Sequence, residues 1–196
     1  MLRLSYLVLA TLLMVTPALA HTGFGDTTGL AHGFMHPVGG IDHVLAMVAV
    51  GLFAAQLGGP ARWLVPASFV AMMAVGGAFG MAGVSIPFVE IGIGLSVVAF
   101  GAAVALPLNM RVAAAMAFAG FFAIFHGHAH GAEMPDTASG FEYGFGFVLA
   151  TALLQLAGIS LGSVIGKVSE PLGRRVAQVA GGGMALAGVT ILVHSI

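Results

Sequence analysis

Three short stretches carry the side chains of this chain that could do chemistry. His36-Pro37-Val38-Gly39-Gly40-Ile41-Asp42-His43 sets two imidazoles and a carboxylate within one short run, Glu90 stands alone in an apolar stretch, and Phe125-His126-Gly127-His128-Ala129-His130-Gly131-Ala132-Glu133 alternates histidine and ends on an acid. Imidazole with carboxylate suits nickel, cobalt, zinc or copper(II), whereas magnesium and calcium favour oxygen ligands alone. The Irving–Williams order would favour copper, so the donor types do not name the metal. There are 0 cysteines, which excludes thiolate sites, disulfides and a cysteine nucleophile. No other nucleophile stands beside these histidines, so a hydrolase has no support and the chain is not expected to be an enzyme or to hold a resident cofactor. A G-x-x-x-x-G-K-[ST] phosphate loop is also missing, which argues against ATP hydrolysis by this chain.

The spacing predicts how these groups would be presented. Pro37 can open a helix, where its missing N–H costs nothing. His36 and His43 would then share one helix face, with Asp42 about 8 Å below the helix start. An ionisable group inside a membrane span is a functional candidate by default, and the positive helix N-terminus keeps such a carboxylate ionised, as a metal ligand must be. The plainer alternative is an Asp42–His43 hydrogen bond. Glu90 falls about one turn inside its own segment, at a similar depth. Two carboxylates there repel unless a cation or protons lie between them, the alternative being a lone protonated Glu90. His126 and His130 are i,i+4 and would share a face, with His128 turned away; a loose metal-scavenging loop is the other reading. The primary ligand candidates are therefore His36, Asp42, His43, Glu90, His126 and His130. His21, His32, His128 and Glu133 are auxiliary candidates, His194 is even between ligand and filler, and Met35 and Met47 read first as packing.

Elements that could position these groups must sit in lipid. The chain is 59% hydrophobic and 7% charged, against roughly 25% charged for a soluble domain. Residues 1–20 read as a cleavable signal peptide, with Arg3, an apolar run and Pro17-Ala18-Leu19-Ala20, leaving residues 21–196 as a single domain. After cleavage, His21 would offer an amine and an imidazole together. The expected fold is all-α, an integral membrane bundle of six transmembrane helices: Pro37–Gln56, Trp63–Ala82, Pro87–Leu106, Arg111–Phe125 running on into the histidines, Tyr143–Ile165 and Val176–Val193. Gly127 to Glu142 would be the longest hydrophilic connection. Under that count Arg62, Arg111, Lys167, Arg174 and Arg175 share one side, while all 8 histidines and every acid but Glu170 lie toward the other. The positive-inside rule then puts both mature termini in the periplasm of a bacterial inner membrane. Glycine-rich spacings in spans two, three and six suit close helix packing. A net charge of −1 offers nothing to nucleic acid, and a homo-oligomer is left open.

His36-Pro37-x-x-Gly40-x-Asp42-His43, the outer Glu90 and His126-Gly127-x-Ala129-His130-Gly131-x-Glu133 together resemble the HupE/UreJ family of nickel/cobalt permeases. The resemblance extends over essentially the whole mature chain. It implies Ni²⁺ uptake, with Co²⁺ as the other substrate, and supply of the metal to hydrogenase or urease maturation. It also implies His36, Asp42, His43, Glu90, His126 and His130 as the motif positions. The competing class is a membrane-anchored, periplasmic-face metal site, a sensor or metalloenzyme, that conducts nothing. A haem protein with paired histidines is weakened by the acids among them. The inner half of the bundle offers only mild polar groups, Ser96, Gln155 and Gln56.

Overall fold

A computed structural model describes residues 29–106, 108–134 and 139–195. The proposed signal peptide and His21 lie outside the described residues. Those described form seven helices and no strand: α1 (Gly29–Gly39), α2 (Ile41–Leu57), α3 (Ala61–Met81), α4 (Val89–Ala105), α5 (Val112–Ala132), α6 (Gly140–Ile165) and α7 (Glu170–His194). Four of these, α3, α5, α6 and α7, are long and apolar enough to cross a membrane, and α1 with α2 would make a fifth as one bent span. The apolar α4 is shorter, at 17 residues. The protein is thus all-α and multi-pass in character.

The expected first span, Pro37–Gln56, is where the sequence misleads. Pro37 does not open a helix; it lies inside α1, which ends at Gly39. Gly40 is extended, with φ −91° and ψ 116°, and caps α2, so the two helices meet at an 81° bend. Proline has no N–H to donate, and two glycines in a row cost a helix about 1 kcal/mol each, so the break falls at Gly39-Gly40. His36 and His43 therefore do not share a helix face. A second departure is at Pro87: α4 begins only at Val89, after Phe88 takes the left-handed conformation with φ 61°. In contrast, α5 runs on through His126, His128 and His130 to Ala132, which shortens the expected Gly127–Glu142 connection.

Lipid tails are as apolar as leucine, so helices in a bilayer associate by close packing rather than by hydrophobic exclusion. The bundle is built accordingly, from backbone-to-backbone contacts at glycine. A Cβ on Gly127 would overlap the Met73 carbonyl, and one on Gly131 the Gly77 carbonyl, which draws α5 onto α3. Glycines likewise join α2 to α6 at Gly51 and Gly158, α1 to α6 at Gly33 and Gly146, and α4 to α7 at Gly101 and Gly181.

Large apolar side chains point outward, Phe141, Val179 and Leu186 among the most exposed, as lipid-facing residues should. The interior of the half nearer the basic residues is aromatic. Phe53, Phe69 and Phe100 are fully buried there, with Phe118 and Phe122 stacked edge to face around Phe100. The one acid at that end, Glu170, lies 3.7 Å from Arg174, one helical turn on. Every other described acid lies at the histidine end.

Candidate metal centre

Four helix ends meet at the histidine side: the C-termini of α1 and α5 and the N-termini of α2 and α6. The bend at Gly39-Gly40 lays α1 against the start of α6, with Gly33 on the Tyr143 backbone and Gly146 on that of Leu30. His36 is thereby carried over the end of α5. The glycines of the α5 motif do a different task from the flexibility that a His/Gly run suggests. By seating α5 on α3, Gly127 and Gly131 fix the height and rotation of their neighbours His126 and His130.

The imidazoles form a ladder from the surface inward. At its outer end His36 Nε2 and Glu133 Oε2 are 3.0 Å apart, with His36 half-buried and Glu133 exposed. His36, His130 and Glu133 each offer a ligand atom within 4.8 Å of the other two. The His36 and His130 rings meet edge to face, with centroids 4.7 Å apart. His130 Nε2 is then 3.1 Å from His43 Nδ1, and His43 Nδ1 is 3.2 Å from His126 Nδ1. His43 and His126 are buried, 1% and 0% exposed.

Such separations suit shared ligation: two nitrogens each about 2.1 Å from one ion subtend roughly 95–100° when they are this far apart. His130 Nδ1 is also buried and lacks a hydrogen-bond partner among the described residues. A buried polar atom without a partner costs about 1–3 kcal/mol, a cost that ligation removes.

Aromatic rings wall the ladder. Phe147 packs on both His130 and His43, with centroids 4.5 and 5.3 Å away, and Phe69 lies 5.8 Å from the His126 ring. Tyr143 stands 6.1 Å from His36 and donates its hydroxyl to the His130 carbonyl at 3.3 Å. Sequence spacing gave no sign of these three walls, because aromatic residues scattered through apolar helices look like ordinary packing.

The remaining candidates are placed differently. Asp42 spends one carboxylate oxygen on the backbone N–H of His43, at 2.7 Å, and is not among the compact three-ligand group. Glu90 is exposed in the first turn of α4 and also stands outside that group. Asp42 and Glu133 are nonetheless the charges that bear on Glu90, so the three carboxylates form an acidic rim at the histidine end of the bundle. His128 turns away and bonds the Val84 carbonyl at 2.7 Å. His32 stacks on His36 with centroids 6.1 Å apart, above the ladder rather than in it. His194 bonds the Thr190 carbonyl of its own helix. The candidate ligands thus form a file with an acidic rim.

The groups expected to be mild polar residues of the inner half also find specific partners. Ser96 is bonded to His126, 2.8 Å from its Nε2. Gln155 points its amide at Met47 Sδ, and Gln56 donates to the Val104 carbonyl.

Comparison with known proteins agrees with the motif. The family model described as HupE / UreJ protein matches residues 9–191. Protein HupE of Rhizobium leguminosarum bv. viciae is 43% identical over 182 residues, covering 92% of this chain and 93% of its own length. No solved structure matches. With its motif histidines gathered at one end of an apolar bundle and the match running nearly end to end, the chain belongs to the HupE/UreJ family.

Proposed function

We propose that this protein is an inner-membrane permease that takes up a divalent transition-metal ion, Ni²⁺ first and Co²⁺ second, and supplies it for hydrogenase or urease maturation. The observation that carries this reading is the unbroken file of ligands from exposed Glu133 through His36, His130 and His43 to buried His126. A static binding site needs one compact ligand set. A file in which each histidine is within ligand reach of the next is what a moving ion needs, since conduction requires sites that the ion can also leave.

In this reading the acidic rim concentrates cations. His36, His130 and Glu133 strip part of the hydration shell, and the ion passes to His43 and His126 by exchanging one imidazole at a time. Six crossings, with the bent α1–α2 pair as the first and short α4 as the third, would put the histidine end in the periplasm and the basic residues inside. Moving one charge through 100 mV is worth about 2.3 kcal/mol, hence about 4.6 for a divalent ion. That supports accumulation on the order of a thousandfold without ATP. Below His126 the way is filled by Phe69 and Phe100, so release to the cytoplasm requires these rings to move.

The same aromatic plug favours one alternative, a non-conducting metal sensor anchored in the membrane. Radiolabelled Ni²⁺ uptake into proteoliposomes under an imposed inside-negative potential separates the two. Accumulation that follows the potential supports the permease; saturable binding that ignores it leaves the sensor. Competition by Co²⁺, Zn²⁺ and Cu²⁺ in the same vesicles ranks the substrates.

A further inference from the structure

The deepest rung of the ladder is His126, and its usefulness as a ligand depends on which ring nitrogen carries the proton. A neutral imidazole has one N–H and one lone pair, and only the lone pair can take a metal. His126 Nδ1 faces His43, while His126 Nε2 faces Ser96 Oγ at 2.8 Å. Ser96 has a single hydroxyl proton, and it is already committed: Oγ donates to the Ile93 carbonyl at 2.6 Å. A carbonyl cannot donate, so the direction of that bond is fixed. Ser96 can therefore only accept from His126, which forces the His126 proton onto Nε2. The Nδ1 lone pair is left pointing at His43.

Ser96 and His126 are both fully buried, so no solvent competes for these bonds. Ile93 lies one turn before Ser96 on the same helix, α4, which makes the arrangement self-contained.

We propose that Ser96 is a positioning residue for cation binding, holding His126 in the Nε2–H tautomer so that its bare Nδ1 faces the ion route. The inference rests on the reading of the ladder as a cation route. His43 is held more loosely by a similar device. Its Nε2 lies 3.3 Å from Thr151 Oγ1, but among the described residues Thr151 has only Met73 Sδ, 3.6 Å away, as its own alternative acceptor. Sulfur accepts weakly. The Thr151 hydroxyl can therefore face His43 or Met73, leaving His43 free to place its proton on either nitrogen. When no cation is near, the His43 Nδ1–H fills the gap by donating to His126; when one arrives, His43 Nδ1 can become a ligand. The end of the ladder is fixed and the rung before it adjusts.

The test uses the full chain in detergent micelles with ¹⁵N-labelled histidine, and Ni²⁺ alone as the probe. Chemical shifts distinguish Nε2–H from Nδ1–H imidazole, and subtracting the spectrum of His126→Gln assigns the His126 signals. The metal-free wild type should show His126 protonated at Nε2. In Ser96→Ala the signal should move toward Nδ1–H, and Ni²⁺ affinity at the inner His43–His126 pair, read from the Ni²⁺ dependence of the His126 signals, should fall about 10- to 100-fold, the usual cost of removing an outer partner of a ligating histidine. Ser96→Thr, which keeps a hydroxyl one turn from Ile93, should restore both. Wild-type affinity in Ser96→Ala, or a His126 tautomer that is indifferent to it, overturns the proposal. Absence of Ni²⁺ binding by the wild type would instead remove the underlying metal reading, while the tautomer shift would remain measurable in its own right.

Discussion

His43 and His126 meet Nδ1 to Nδ1 across 3.2 Å, from two helices, α2 and α5, in a part of the bundle closed to solvent. Two ring nitrogens that close cannot both present lone pairs to each other unless a proton or a cation lies between them. A protein whose only need was packing would fill that space with leucine, because a pair of buried imidazoles carries a desolvation cost that apolar side chains avoid. The contact therefore marks a place where the fold accepts a cost for chemistry.

That contact separates the histidines of α5 from one another. His126→Ala should abolish Ni²⁺ uptake in vesicles while leaving insertion intact, since it deletes the deepest rung. His128→Ala removes only a bond to the Val84 carbonyl and should keep most of the uptake. Equal loss in both variants would mean that the α5 segment acts as an undifferentiated metal sponge.

The glycines beside the histidines give a steric test. In Gly127→Ala the new methyl must push against the Met73 carbonyl, which belongs to rigid helix backbone. Overpacking of that kind costs about 1–3 kcal/mol, and because it shifts His126 it should lower uptake as well as thermal stability in detergent. Gly144→Ala is the control: nothing lies within 4 Å of its Cβ position, and alanine is the better helix former. Thermal unfolding should show Gly144→Ala at or above wild type. Similar melting of the two alanine variants would refute the close-packing account of the motif glycines.

Asp42 and Glu90 belong to the rim, and their variants should behave alike. Asp42→Asn keeps an oxygen for the His43 N–H but loses the charge. Glu90→Gln loses only charge. Each should raise the Ni²⁺ concentration needed for half-maximal uptake by several-fold, with the maximal rate largely kept, and the deficit should shrink at high salt because such rim charges are screened. Asp42→Ala should be worse than Asp42→Asn, since it also strips the partner of the His43 N–H. A collapse of the maximal rate in Asp42→Asn would place the carboxylate on the ion itself.

Much of this was legible in residue types and spacing. Apolar segments separated by Gly/Pro punctuation gave the helices, and His126 with His130 at i,i+4 gave one shared face. The failures have local causes. A Pro-x-Gly-Gly run reads equally well as a helix start or as a helix break, and the break at Gly39-Gly40 decided where His36 went. The i,i+7 relation between His36 and His43 lost its meaning at that point, and the two are linked instead through His130, from a distant part of the chain. Glu133, ranked only as auxiliary, turned out to sit in the compact outer group because α5 extends to Ala132 and carries it there. Ser96 looked like a stray polar group because hydrogen-bond direction is invisible in sequence. The Asp42–His43 hydrogen bond, the plainer alternative for that carboxylate, does form, but to the backbone N–H of His43 rather than to its ring.

His130 is the hinge of the functional reading, because it belongs to the outer group and also reaches the buried His43–His126 pair. It shares the compact set with His36 and Glu133, and its Nε2 lies 3.1 Å from His43 Nδ1. If an ion is handed along this file, variants should divide by position. Glu133→Gln and His36→Ala weaken capture, so half-saturation rises while the maximal rate changes little. His126→Ala removes the onward partner, so the maximal rate falls while Ni²⁺ binding at the entrance survives, measurable by calorimetry on the solubilised protein. His130→Ala should do both at once, raising half-saturation and lowering the maximal rate. The effect of His130→Ala on uptake should also exceed that of Glu133→Gln taken singly. Double variants provide the sharper check: adding Glu133→Gln to His130→Ala should cost little more, because the outer group is already broken. A His130→Ala protein that binds Ni²⁺ normally and transports it at the wild-type rate would show that the ion does not pass by this residue.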